Sequence, residues 1–410
     1  MRQFLSILAV IFLISCETSI PYDAISSLQA DINLLASDSL SGREVGTEGE
    51  RQAADYLQSR MKEIGLQPKG TDGFYQTFFV KESSNPHAEA EVGAKQDTVG
   101  ITGYNVLGYL DNPGDKIIVI GAHFDHLGMG GMSSMERGTE AVHNGADDNA
   151  SGTAALLHLA TKLKAMNLQH DVLFFAISGE ERGLWGSNYY TKNPTIDLSK
   201  VNFMINMDMV GRLDEERGLA VYGTGTAPEW SDLVDKVNTD SLKIVKKESG
   251  KGPSDHTSFY LKDIPVLHFF TGQHSDYHRP SDDADRINFD GILTVTDMIE
   301  RIITSLDGGE QLAFQTTKEE ESNTPRFTVS LGVMPDYLYD GKGMMVADVS
   351  ADKPAIKAGI LKGDVVVQLG DSTVTDMMSY MRALSVYQKG DKAKVVVERE
   401  GSKKEFEVEF

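Results

Sequence analysis

Cysteine is almost absent: Cys16 is the only one in 410 residues. No disulfide can form within the chain, so its stability has to come from a buried core. Basic charge is also short. Lys and Arg number 39 against 61 Asp and Glu, for a formal net charge of −22, which argues against binding to a phosphate backbone. The same surplus of acids suits a solvated surface, and it suits a cation site. The N-terminal apolar run, Phe4 to Ile14, falls short of the ~20 residues a spanning helix needs. There is no evident internal repeat or low-complexity tract, and no Gly-x-Ser-x-Gly turn of the kind that presents a serine nucleophile.

What is present is the balance of a soluble globular protein, 40% apolar and 24% charged. The length fits two folded units with appendages. Met1-Arg2, the apolar run and then Leu13-Ile14-Ser15-Cys16 resemble a bacterial lipoprotein signal. The expectation is a signal peptide over residues 1–15, lipid attachment at Cys16 and a tether over 16–24. The protein would be exported and held to a bacterial membrane by acyl chains without spanning it.

Apolar spacing predicts helices over 21–36 (Ile25, Leu28, Ile32, Leu35) and 47–65, the second with Thr47 as cap and Gly65 as stop. Strands are predicted at 104–110, 116–120, 172–177, 203–207 and 266–270, with helices over 151–166 and 291–306. Several of these strands are apolar at consecutive positions, as strands covered on both faces are. Each delivers polar residues at its end. That alternation describes an α/β fold, an open mixed and largely parallel sheet sandwiched by helices, with a site along one edge. The unit is placed at 25–308, followed by a linker at 309–324 and a small β-rich domain at 325–410.

The strand-end polar residues are His123, Asp147, Glu180, Glu181, Asp208 and, further on, His278. Imidazole with carboxylate is a donor set for zinc, with manganese or cobalt as lesser fits. Two imidazoles and three carboxylates exceed what one tetrahedral ion takes. Shared between two ions through one bridging carboxylate, they leave each an open position. Adjacent glutamates on an extended segment point in different directions, so one can bind metal while the other handles a proton.

Five motifs, Gly-Ala-His-x-Asp from Gly121, Gly-Ala-Asp-Asp-Asn-x-Ser-Gly from Gly145, Gly-Glu-Glu-x-Gly-Leu-x-Gly-Ser from Gly179, Asn-x-Asp-Met-x-Gly from Asn206 and Tyr-His-x-Pro-x-Asp from Tyr277, occur in the order found in the co-catalytic di-zinc aminopeptidases. The clan also holds glutamate carboxypeptidase, glutaminyl cyclase and the transferrin receptor. The resemblance, over roughly Leu40 to Leu306, implies two zinc ions per chain, with His123 and Asp208 on one, Glu181 and His278 on the other and Asp147 bridging. It implies Glu180 as general base and acid, Tyr277 as an oxyanion donor, and a cis peptide bond between Asp147 and Asp148. By spacing, Asp125 and Asp282 are placed to accept the second ring hydrogens of His123 and His278.

His126, His143, His158 and His274 read as loop or structural histidines, and Ser254-Asp255-His256 as a segment beside the substrate pocket. The loop from Gly128 to Gly138 reads as a mobile rim or a plain connection. From Ser330-Leu331-Gly332-Val333 onward the chain resembles a PDZ domain, similar to those of periplasmic serine proteases, which implies a C-terminal peptide or protein partner. The expected function is an exported zinc aminopeptidase acting on peptides. Alternatives are a glutaminyl cyclase or carboxypeptidase of the same clan, or a binding protein on that fold without catalysis.

Overall fold

The computed structural model describes residues 22–81, 91–93, 100–131, 133–136, 140–214, 216–317, 329–336, 339, 341–350 and 353–410. The signal peptide, Cys16 and most of the tether lie outside the described residues, as do Met132, Gly138 and the end of the linker. No helix among the described residues is long and apolar enough to cross a membrane.

The first two helices form where apolar spacing places them. α1 (Ala24–Leu35) begins at Asp23, whose carboxylate accepts from the Ser26 N–H, and it buries Leu28, Ile32 and Leu35. α2 (Glu48–Ile64) is capped by Thr47 Oγ1, which accepts from the Glu50 N–H, and stops at Gly65 with φ +87°, a left-handed turn that glycine makes without a Cβ clash. The chain then enters the sheet through β1 (Gln67–Pro68), β2 (Tyr75–Lys81), β3 (Glu91–Gly93), β4 (Gly100–Leu110) and β5 (Ile117–His123). α3 (Gly152–Lys164) returns it to β6 (Asp171–Ile177), and α4 (Trp185–Lys192) to β7 (Val201–Met207). Next come β8 (Leu219–Tyr222), α5 (Trp230–Val237), β9 (Ile244–Lys247), α6 (His256–Tyr260) and β10 (Val266–Phe270), and α7 (Phe289–Leu306) closes the unit.

Among the described residues the strand order is β3-β2-β4-β6-β5-β7-β10-β8-β9, with β1 beside β4. The four central strands β6, β5, β7 and β10 are parallel, whereas β4 and β8 flank them antiparallel. Every residue of these four is buried, because α1, α2, α3, α5 and α7 cover one face and α4 and α6 the other. The mixed α/β sandwich is as expected. Parallel strands all end on the same edge, so the segments after His123, Ile177, Met207 and Phe270 converge there.

A charged side chain holds that edge from below. Arg43 is fully buried and donates to the main-chain oxygens of Phe124 at 2.7 Å, Asn144 at 2.6 Å and Gly145 at 3.1 Å, and also to Leu35. It ties α1 to the two loops that follow β5. Burial pushes its guanidinium down to about 10, with Asp125, Asp148 and Asp282 opposing that shift.

The C-terminal unit is a separate antiparallel sheet. It is built from β11 (Val333–Pro335), β12 (Met344–Val349), α8 (Pro354–Ala358), β13 (Val365–Leu369), β14 (Ser372–Thr373), α9 (Met377–Leu384), β15 (Lys392–Arg399) and β16 (Ser402–Glu409). The order is β11-β12-β13-β15-β16, with β14 beside β13, around a core that includes Leu331, Val346, Ile360, Val395 and Val397. Asp364, buried here, takes a two-pronged contact from Arg399, Nε at 2.6 Å and Nη2 at 2.7 Å. Residues 309–317, read from sequence as linker, lie against the first unit: the Leu312 N–H donates to Asn202, Gln315 N–H to Thr226 O and Thr317 N–H to Tyr260. Polar composition marked this stretch as a connector, but its main chain is paired.

Two outcomes test these anchors. Arg43→Met strands four carbonyl oxygens, each a buried acceptor left without its donor, and should lower unfolding stability by about 3 kcal/mol or more in urea titrations. Burial would raise the Asp364 carboxyl, but Arg399 and the Leu361 N–H overcome it and hold the group below its ordinary value. A depressed folded value gives stability that is full above the unfolded value of ~3.9 and is lost as pH falls from there through the folded value. Asp364→Asn should therefore destabilise the C-terminal unit at pH 7, and the gap to wild type should close below about pH 4.

Candidate metal centre

The converging segments bring a set of buried acids and imidazoles to one place. His123 is the last residue of β5, Asp148 lies in the turn before α3, Glu180 and Glu181 follow β6, Asp208 follows β7, and His278 comes after β10. His123 Nε2 lies 3.2 Å from Asp208 Oδ1 and 3.4 Å from Asp148 Oδ1. His278 Nε2 lies 3.2 Å from Asp148 Oδ2 and 3.3 Å from Glu181 Oε2. Two donors on a tetrahedral zinc with bonds of 2.0–2.1 Å are ~3.3 Å apart. All four separations fit that spacing, and Asp148 offers one oxygen to each half.

The unused ring nitrogens are held as metal-ligating histidines require. His278 Nδ1 donates to Ser133 O at 3.0 Å. His123 Nδ1 faces Asp125 O at 3.2 Å and the Asp125 carboxylate at 3.7 Å. In both rings Nε2 is the atom left facing the cluster.

Four expectations shift. The resemblance put Asp147 at the bridging position, and the structure puts Asp148 there. Asp147 is turned away, its Oδ1 accepting from the Gly211 N–H at 2.7 Å and Ser151 Oγ at 3.0 Å while Oδ2 meets His274 Nε2 at 3.1 Å. The cis peptide bond likewise falls one residue later, at Asp148-Asn149 rather than Asp147-Asp148. Asp282 does not hold the ring of His278. Its Oδ2 accepts from both the Asp147 and Asp148 N–H groups at 3.0 Å, so it presents the bridging carboxylate, and Ser133 does the work expected of it. His126, read as a loop histidine, is buried, with Nδ1 2.8 Å from Glu181 Oε1. Its distance to Asp148 Oδ2 is 4.0 Å. The unequal pair makes it a hydrogen-bond partner on the far oxygen of Glu181 rather than an equal of His278.

The remaining placements are simpler. Asp125 accepts from the Glu180 and Glu181 N–H groups at 3.1 and 3.4 Å, orienting that pair as well as His123. Glu180 and Tyr277 line the cavity, and the Tyr277 ring stacks on His278 at 3.8 Å. His158 is structural, its Nδ1 2.8 Å from the Tyr22 hydroxyl. His143 is buried against Ser134. Ser254, Asp255 and His256 are buried beside the site. Asn206 donates to Ser254 Oγ at 2.8 Å, and the His256 ring stacks on that of His268. The loop after Gly128 clamps His278, through Ser133 and through the Met135 N–H, which donates to His278 O at 2.9 Å. His278 is held at φ +53°, a left-handed conformation that a non-glycine residue keeps only under such constraint.

Sequence reading passed over three contributors. His126 could have been found from its place directly after His-x-Asp, whereas Arg43 and Glu50 carry no motif signal. Glu50 accepts from Ser178 Oγ at 2.5 Å and from the N–H groups of Gly46 and Tyr104, fixing the segment that leads into Glu180. Its burial pushes the carboxyl up to about 7.

Without cations the cluster is electrostatically frustrated. Burial drives Glu180 well above the ordinary carboxylate range; His123 opposes this, and the neighbouring acids Asp208 and Asp255 add to it. Burial would raise Glu181 too, but His278 and His126 bring it well below. Both His123 and His278 are driven far above the usual imidazole range by the acids, against their own desolvation. The acids thus favour positive charge at the place where divalent cations fit. A cavity of about 100 Å³ opens on Asp148, Glu180, Glu181 and Asp208, with Met209, Tyr222, Phe270 and Tyr277 as its apolar wall.

Residues 105–303 match the model of peptidase family M28, and residues 313–410 that of the PDZ domain. The chain is 29% identical over 170 residues to aminopeptidase YwaD of Bacillus subtilis strain 168, covering 38% of this chain and 36% of the relative. It spans between 36% and 52% of the length of the first curated relatives it matches. BSAP, a zinc aminopeptidase from Bacillus subtilis, shares the fold at a TM-score of 0.54 and 18% identity, over 72% of this chain and 99% of that one. A glutaminyl cyclase from Bacteroides thetaiotaomicron does so at 0.53 and 18%, over 69% and 97%. Likeness at that level speaks for the fold alone and does not separate the two activities. The stretch that carries the acid and histidine cluster is thus similar to peptidase family M28, and the C-terminal stretch to the PDZ domain.

Proposed function

We propose that the chain is an exported, lipid-anchored zinc aminopeptidase that removes N-terminal residues from peptides, with a PDZ domain that engages peptide. The observation that carries the two-ion reading is a pair of donor groups, each with two separations of 3.2 to 3.4 Å about one imidazole nitrogen and each including one oxygen of Asp148. His123, Asp208 and Asp148 would hold one zinc, and His278, Glu181 and Asp148 the other. Bound there, the ions would polarise the scissile carbonyl and lower the pKa of water.

The residues around them do the rest. Glu180, lining the cavity without belonging to either donor group, takes the proton of the attacking water and returns it to the leaving amine. Its buried setting raises its proton affinity, as a base that must later act as an acid requires. The Tyr277 hydroxyl, at the cavity wall, donates to the oxygen on which charge develops. Four acids line the cavity, and no Lys or Arg is among its lining residues. With the ions in place most of that negative charge is balanced, but no cationic side chain is there to hold a C-terminal carboxylate, which favours an aminopeptidase over a carboxypeptidase. Tyr277 and the complete donor set weigh against glutaminyl cyclase, and the full donor set also weighs against a non-catalytic binder.

Zinc-loaded protein lacking residues 1–16 should hydrolyse aminoacyl p-nitroanilides, lose activity to a chelator and regain it with zinc. Pyroglutamate from a glutaminyl peptide would replace this reading with cyclase chemistry. Glu180→Gln should keep both ions by metal analysis while turnover falls by roughly 10²-fold or more. Asp148→Asn should lose most bound zinc, whereas Asp147→Asn should stay within the 10–100-fold affinity loss typical of a residue that only supports the ligands. The opposite ranking would return the bridge to Asp147.

A further inference from the structure

The PDZ sheet ends in β11, which among the described residues pairs only with β12. The Ser350 N–H donates to Gly332 O and the Asp336 N–H to Met345 O, so by alternation the main chain of Val333 and Pro335 faces the open side. Pro335 has no N–H, and strand addition there is limited to a short ladder around Val333. Val333 and the α9 side chains Met377 and Met381 are half-buried on the same apolar cluster. The edge therefore offers both strand pairing and an apolar wall to an extended peptide.

Charge gives the edge a direction. At its start the side chain of Lys353 packs on Gly332, so closely that a Cβ there would fall 2.1 Å from Lys353 Cβ. Past its end stands Asp336, with Asp348 alongside on β12. A terminal carboxylate is favoured at the Lys353 end, and a strand added antiparallel to β11 with its C-terminus there leaves past Asp336. Those two acids are also where the domain meets the peptidase unit. Asp336 pairs with Arg217 at 3.4 Å and Asp348 with Arg279 at 3.3 Å. Arg279 directly follows His278. Arg217 precedes β8, whose Ala220 pairs with Phe270 at the end of β10, so both arginines sit on the edge of the sheet that carries the metal cluster.

We infer that the PDZ groove feeds this centre: a peptide seated on β11 with its C-terminal carboxylate at Gly332 and Lys353 is led with its N-terminus toward the metal cluster. One peptide is then gripped by its C-terminus and trimmed at its N-terminus. The inference rests on the aminopeptidase reading and adds a substrate class to it, peptides long enough to span both sites with a free carboxyl end. Holding one end raises the effective concentration of the other without any new contact at the metal site.

The test compares three substrates on the zinc-loaded protein lacking residues 1–16: an aminoacyl p-nitroanilide, a peptide of about ten residues that reaches ~33 Å when extended, and the same peptide C-terminally amidated. The free acid should show a kcat/KM about tenfold above the amide, carried by KM. Lys353→Ala should bring the ratio close to one and Lys353→Arg should restore it, while the Asp336→Ala, Asp348→Ala double variant should lower it by loosening the docked domain. A ratio near one in the wild type, or an unchanged ratio in Lys353→Ala, overturns the feeding while p-nitroanilide cleavage leaves the aminopeptidase reading standing. Failure to cleave the p-nitroanilide at all overturns both.

Discussion

Everything at the edge of the large sheet depends on where the Asp148 carboxylate points. Its two oxygens face different imidazoles, His123 at 3.4 Å and His278 at 3.2 Å, and those rings come from segments far apart in the sequence. Asp282 sets it there by gripping the two N–H groups of the Asp147-Asp148 turn. Arg43 fixes the start of that turn through Asn144 O and Gly145 O, and Ser133 fixes the ring that approaches from the far side. Several buried acids packed this closely repel one another. The fold withstands the repulsion because parallel strands, covered on both faces, deliver the acids from a rigid platform, and because the cluster is arranged for cations to occupy.

The cavity over this cluster has two characters. Its floor is anionic, and its wall of Met209, Tyr222, Phe270 and Tyr277 is largely apolar. In the proposed aminopeptidase the floor would hold the ions and the wall would accept a side chain, so chemistry and residue preference would be served by different surfaces. The C-terminal unit, joined to the rim through Arg217 and Arg279, adds a third surface, the open edge of β11 with Lys353 at its start.

Legibility followed the length scale of each interaction. The helices at Ala24–Leu35 and Glu48–Ile64 were readable to within a few residues because periodicity and caps are local. The central strands were readable because continuous apolar runs mark burial on both faces. β8, β9 and α5 went unread; they are short. At the site, the separated strand-end residues Glu180, Glu181, Asp208 and His278 line one cavity, and His123 lies within 3.2 Å of Asp208. The choice between adjacent Asp147 and Asp148 was not readable, since both satisfy the same composition, and it was resolved the wrong way.

What the sequence by itself determined is the inventory: an α/β unit with acids and imidazoles at strand ends, a donor set suited to divalent cations, and a second small domain. What only the tertiary structure decided is which atom faces which. Asp147 and Asp148 differ by one peptide unit, and that unit turns one carboxylate into the cluster and the other toward Gly211 and His274. His126 became a partner of Glu181, and Asp282 a clamp on a turn rather than on a ring. These assignments depend on hydrogen bonds between segments as many as 135 residues apart, and no local pattern encodes a partner that distant.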